Sequence, residues 1–211
     1  MAVVLLLVIF LNRAKAADIV GVGKPLLRLK PKDIVIVAIS ERSFKSVGEF
    51  PWKRVIYAKF LKKIKKYKPA ITAFEPINIL SNNALSCGHT GQLEANLVFE
   101  KCLPVIFSKN KIIPSFPLVV MHNWIRKISA EQSSALKYIS AFDDFIFKNM
   151  NCDDSLDFGY SGKDFSFKTV EFCDILNNNF NEKTFENKIV LVGVTAPLLK
   201  YPPILNWRCC I

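Results

Sequence analysis

Short apolar runs alternate along the chain with charged stretches of helical period. Ile34-Val35-Ile36-Val37-Ala38-Ile39 is β-branched almost throughout and closes on Ser40-Glu41-Arg42. A run so short, with no polar alternation, predicts a strand over 33–39 that is buried on both faces. After Gly48 and the knot Phe50-Pro51-Trp52, the apolar positions Tyr57, Phe60, Leu61, Ile64 and Tyr67 recur at three- and four-residue spacing. That period predicts a helix over 54–67, ended by Pro69. Residues 70–74 predict a second strand, closed by Glu75-Pro76. Strand, helix and strand make a βαβ unit, for which a right-handed crossover is expected. Residues 188–195, Lys-Ile-Val-Leu-Val-Gly-Val-Thr, predict another buried strand. It is preceded by an extended segment over 165–170 and a helix over 171–178.

The middle of the chain is less regular. Residues 81–90 have loop composition, 92–101 predict a helix, and 103–108 a third strand, with Pro104 suiting a strand's first residue. Residues 112–121 and 141–147 are apolar and expected as strands, with a helix over 124–136 between them. The expected fold class is α/β: a mostly parallel or mixed sheet with helices on both faces, preceded by a short hydrophobic segment.

Composition narrows the class. The chain has 211 residues, 51% of them hydrophobic and 12% aromatic, enough for a packed core and far from a disordered composition. One domain is the expectation at that length. The net charge of +11 raises nucleic acid or an anionic surface as partners. The densest basic cluster, Lys59 to Lys68, lies on the helix whose other face is apolar. It therefore reads as the solvated face of a docked helix, and nucleic acid is not an expected partner.

The six cysteines form no C-x-x-C pair and only two histidines, His89 and His122, are present, so no metal or other cofactor is expected. Cys87-Gly88-His89 has no matching pair elsewhere. Asp153-Asp154-Ser155-Leu156-Asp157 lacks the alternation of a calcium loop. Gly159-Tyr160-Ser161-Gly162-Lys163 lacks the second glycine spacing of a nucleophile elbow. No catalytic set at a recognisable spacing involves either histidine.

The ends carry two further expectations. Met1 to Leu11 is uninterrupted apolar, shorter than the roughly 20 residues needed to span a bilayer. Arg13 and Lys15 follow it and no basic residue precedes it, unlike an ordinary signal peptide. Residues 1–17 are expected to be the back half of a membrane anchor whose upstream part lies outside the chain, the alternative being a signal-like segment with Ala14-Lys15-Ala16 as its cleavage site. Residues 204–211 have no periodicity and read as an irregular tail, as of an interrupted reading frame.

The ordered set of motifs resembles a known family. Ser40-Glu41-Arg42-Ser43 follows the first strand, then Gly48-Glu49-Phe50-Pro51-Trp52-Lys53-Arg54, then a strand ending Phe74-Glu75. Gly159-Tyr160-Ser161-Gly162 and Lys188 to Ala196 complete it. This succession resembles the type-2 CHASE domain, a sensory module of bacterial adenylate cyclases and histidine kinases. The resemblance covers about 18–203 and implies an extracytoplasmic, stimulus-binding, non-enzymatic domain at the bacterial inner membrane. It implies a transmembrane helix before the domain, further ones after it, and then a cytoplasmic output domain. Glu41, Arg42, Ser43, Pro51, Trp52, Arg54, Phe74, Tyr160, Gly162, Lys188, Gly193, Thr195 and Ala196 fall on motif positions. Ser40 and Glu75 stand where the family usually has Asp.

A candidate ligand site follows from placement. Glu41, Arg42 and Glu75 sit at the carboxyl ends of predicted strands, where α/β sheets hold ligands, with Thr195, Trp52 and Arg54 near in the motif set. The competing reading is an Arg42–Glu75 or Arg54–Glu41 ion pair that seals the sheet end, with Trp52 anchoring its loop to the core. The expected partners are a small-molecule or protein stimulus and the membrane through the N-terminal segment; a homodimer is one arrangement open to the chain. Two other functions remain open. One is a small α/β hydrolase or transferase using a crevice around Glu41 and Glu75. The other is binding to an anionic surface through the Lys62–Lys68 face.

Overall fold

The computed structural model describes residues 31–74, 88, 92–95, 98–102, 105–108, 111–131, 156–157 and 167–196. In chain order the elements are β1 (Ile34–Ile39), α1 (Glu41–Val47), α2 (Arg54–Ile64), β2 (Ile71–Phe74), β3 (Gln92–Ala95), β4 (Val98–Cys102), β5 (Val105–Ser108) and β6 (Lys111–Pro114). Then follow α3 (Phe116–Glu131), β7 (Leu156–Asp157), β8 (Lys168–Glu171), α4 (Phe172–Leu176) and β9 (Ile189–Val194). The described residues fall into two compact units: 32–74 with 167–196, and those between 88 and 157.

The first unit is an α/β layer built on a four-stranded, wholly parallel sheet in the order β2-β9-β1-β8. The two central strands, IVIVAI and IVLVGV, are nearly buried throughout, which is why neither alternates with polar residues. Side chains on one face, Val35, Val37, Ile39, Val190 and Val192, share a core with Tyr57, Phe60 and Ile64 of α2 and Phe172 and Ile175 of α4. Ile34, Ala38, Ile189 and Leu191, on the opposite face, are buried as well.

The connections explain where the helices lie. β1 leads through α1 and α2 past β9 to β2, and β8 leads through α4 past β1 to β9. Both steps run in the same direction across the sheet. Crossovers of one hand stepping one way deliver their helices to one face, and α4 does touch both α1 and α2. Phe60 stacks on Phe172 with centroids 4.5 Å apart and planes 10° apart. Trp52 lies 4.9 Å from the same ring.

Local chemistry sets the boundaries. Ser40 caps α1, its hydroxyl accepting from the Arg42 N–H at 3.2 Å. Gly48 ends that helix at φ 112°, a conformation that favours glycine, and its N–H donates to the Phe44 carbonyl at 2.9 Å. This short helix was not among the expected elements, although a serine cap and a trailing glycine bracket it. The α2 helix begins and ends as its apolar period predicts, with a 3-10 turn over Lys65–Tyr67 before Pro69.

The second unit contains a three-stranded sheet, β3-β4-β7, and a hairpin of β5 and β6. The helix expected over 92–101 is absent: two antiparallel strands, β3 and β4, stand there instead. Gln, Leu, Glu and Ala favour a helix locally, but pairing of β4 with Leu156 and Asp157 is non-local and overrides that preference. The strand expected over 112–121 stops at Pro114, and α3 begins at Phe116 rather than at Trp124. Pro117 explains this, since proline is at home in the first turn of a helix, where Val119 N–H already bonds the Ser115 carbonyl at 3.0 Å. A Cβ on Gly88 would lie 2.6 Å from the Phe116 Cα, so glycine admits close passage of its segment by the start of α3. The expected strand over 141–147 and the Tyr160 turn lie outside the described residues.

Candidate functional site

The carboxyl edge of the parallel sheet is occupied by two side-chain clamps. In the first, Glu171, the last residue of β8, accepts from the Ser40 hydroxyl at 2.7 Å and from the Ser43 hydroxyl at 3.1 Å, both through Oε2. Register places Glu171 beside Ala38, so the strand end brings its carboxylate to the turn between β1 and α1. Ser43 is wholly buried and its oxygen also accepts from the Cys173 N–H at 3.4 Å. In the second clamp, Arg42 forms a two-pronged pair with Asp174, at 2.6 Å and 3.2 Å. Asp174 lies in the first turn of α4, where a carboxylate also suits the helix dipole. Together they bolt the start of α1 to the β8–α4 junction.

The expected site residues distribute as follows. Glu41 is exposed and opens α1, and Arg42 is bound to Asp174 on that helix's outer side. Thr195 is half-buried, and its N–H donates to the Ile39 carbonyl at 3.0 Å, which places it at the end of β1. Arg54 is exposed at the start of α2, and among the described residues it forms no ion pair with Glu41. Glu75 lies outside the described residues.

Trp52 is 4% exposed, and its indole N–H donates to the Gly48 carbonyl at 2.8 Å. Its ring meets Phe44, Phe50, Tyr57 and Phe172, which anchors the loop after the cis Phe50–Pro51 bond. Beneath it, Tyr57 is fully buried, and among the described residues no group stands at hydrogen-bond geometry to its hydroxyl. Burial pushes this phenol up to about 12, offset in part by the Trp52 backbone nearby.

Glu171 and Asp174 escaped the sequence reading. Their signal was the segment Val170-Glu171-Phe172-Cys173-Asp174, which places two acids one helical turn apart at a strand-to-helix junction. Nothing local connects them with Ser40 and Arg42, some 130 residues earlier.

A second concave feature lies away from the strand ends. An open groove of about 480 Å³ runs between the end of α1, one side of α2 and the end of α4. Val47, Ile56 and Leu176 supply apolar surface, and Lys59, Lys62 and Lys63 of α2, Lys66 of the turn after it, Ser46 and Asn177 line the rest. Among the described residues, no group of His, Cys, Asp and Glu could hold a metal ion, and no helix is long and apolar enough to cross a membrane.

The family model of the CHASE2 domain matches residues 1–202. No curated protein matches, and no solved structure matches. CHASE2 domains are extracellular sensory domains found in signalling proteins. With nearly its whole length matched, the chain belongs to the CHASE2 domain family.

Proposed function

We propose that the chain is the stimulus-receiving domain of a bacterial membrane signal-transduction protein, facing the periplasm or cell exterior. Its output would be a cytoplasmic adenylate or guanylate cyclase or a histidine kinase. The observation that carries this reading is the family match across residues 1–202. A sensor works by binding one of two states more tightly and shifting their balance. The β1–α1 and β8–α4 junctions, tied by Ser40, Ser43, Arg42, Glu171 and Asp174, are a fitting element for such a balance. They join chain segments far apart in sequence through bonds that can be exchanged. Glu41, Arg42, Thr195, Arg54, Glu75 and Trp52 belong to this reading as a ligand-facing edge, with Arg42 and Trp52 acting through the elements they hold.

The coding DNA beyond Ile211, read in all frames, tests this directly. Membrane helices followed by a cyclase or kinase domain support the reading, and an unrelated continuation refutes the signalling role. The enzyme reading around Glu41 and Glu75 makes a different forecast: Glu41→Ala would abolish a turnover, whereas a sensor keeps its fold and loses coupling.

A further inference from the structure

We propose that the groove between α1, α2 and α4 takes a small amphipathic anion, an apolar body carrying a carboxylate or phosphate. This names a stimulus class for the sensory reading above and rests on it. The volume of about 480 Å³ lies within the range of small-ligand pockets, roughly 300–1,000 Å³. Half-buried Val47, Ile56 and Leu176 offer an apolar surface. Lys59, Lys62 and Lys66 stand around it, and among the described residues none of the three has a carboxylate partner. The sequence has no Asp or Glu between Glu49 and Glu75, so α2 supplies no acid to neutralise them. An apolar wall beneath unpaired ammonium groups matches a ligand with an apolar body and an anionic head better than a neutral or cationic one.

Lys63 gives the groove a link to the rest of the unit. Its ammonium donates to the Leu176 carbonyl and, at 2.9 Å, to the Asn178 side chain, at the end of α4. An anion in the groove competes for that ammonium and withdraws a donor from the carbonyl end of α4. The other end of α4 holds Asp174, clamped to Arg42. Occupancy therefore reaches the sheet edge through one short helix.

Octyl phosphate, titrated calorimetrically into the full chain, is the probe. It should bind, while inorganic phosphate and octylamine should not. K59Q/K66Q should weaken binding about thirtyfold, as expected for two lost charge contacts of about 1 kcal/mol each. The control K168Q/K183Q, of equal charge but outside the groove, should change it no more than about twofold, because distant exposed charges are screened. The backbone amide signals of Asn177 and Asn178 should move during titration as Lys63 changes partner. Absence of octyl phosphate binding, equal binding of octylamine or phosphate, or equal loss in both variants overturns the proposal. So does binding confined to phosphatidylglycerol vesicles, which would mark a membrane surface instead. Binding with unmoved Asn177 and Asn178 signals overturns the role given to Lys63. None of these outcomes touches the gene-level test of the sensory reading.

Discussion

Ser43 and Arg42 are neighbours with different burdens. Ser43 is wholly buried and serves both Glu171 and the Cys173 N–H, whereas the Arg42 side chain is 60% exposed. Removing a buried partner leaves polar groups unsatisfied, at about 1–3 kcal/mol, while an exposed ion pair contributes about 1 kcal/mol or less. Ser43→Ala should therefore lower the urea midpoint clearly with an unchanged slope, and Arg42→Ala should lower it only slightly. The reverse order would mean that the ion pair is the principal bolt. Gly48 has φ 112° and nothing within 4 Å of the position a Cβ would take, so its replacement is a matter of backbone strain alone. Gly48→Ala should cost about 1–3 kcal/mol in the same assay.

Tyr57 carries a pH prediction. Its folded-state value, about 12, lies above the ordinary 10.0, so the folded protein holds this proton more tightly than the unfolded chain. Stability from this group is complete below pH 10 and is lost as pH rises toward about 12, at about 1.4 kcal/mol per unit. Lysines titrate there too, so the informative quantity is the difference between wild type and Tyr57→Phe. The variant should stay close to wild-type stability at neutral pH and should fall less steeply above pH 10.

Among elements, α2 holds its unit together through one aromatic face. Phe60 is fully buried, stacked on Phe172 and edge-on to Phe74, which ties helix to helix and helix to sheet. Phe60→Ala should destabilise by about 3–5 kcal/mol in denaturant unfolding. Strands β1 and β9 and helix α2 are legible in the sequence because their patterns are local: unbroken β-branched runs and a clean 3.6-residue period. The short helix α1 is less visible, since only Phe44 and Val47 of its seven residues face apolar neighbours. The β3 and β4 strands look helical in isolation because β4 is also held by β7, more than fifty residues away. The same distance hides the clamps: Ser40 and Arg42 are visible as polar groups at a strand end, but not that Glu171 and Asp174 receive them.

For the whole molecule, the central claim is a sensor held outside the membrane. The parallel sheet that carries the family motifs draws two strands from residues 34–74 and two from 168–194. Among the described motif residues, Glu41, Arg42, Ser43 and Thr195 lie at the carboxyl ends of the adjacent strands β1 and β9, whereas Lys188 precedes β9 at the opposite end, which is why order carried more information than any single motif. The decisive measurement is a topology reporter, a phosphatase active only outside the cytoplasm, fused between Ala17 and Asp18 in the intact gene product. The account predicts full phosphatase activity. A reporter that stays inactive while a fluorescent protein at the same junction matures in the cytoplasm would contradict it.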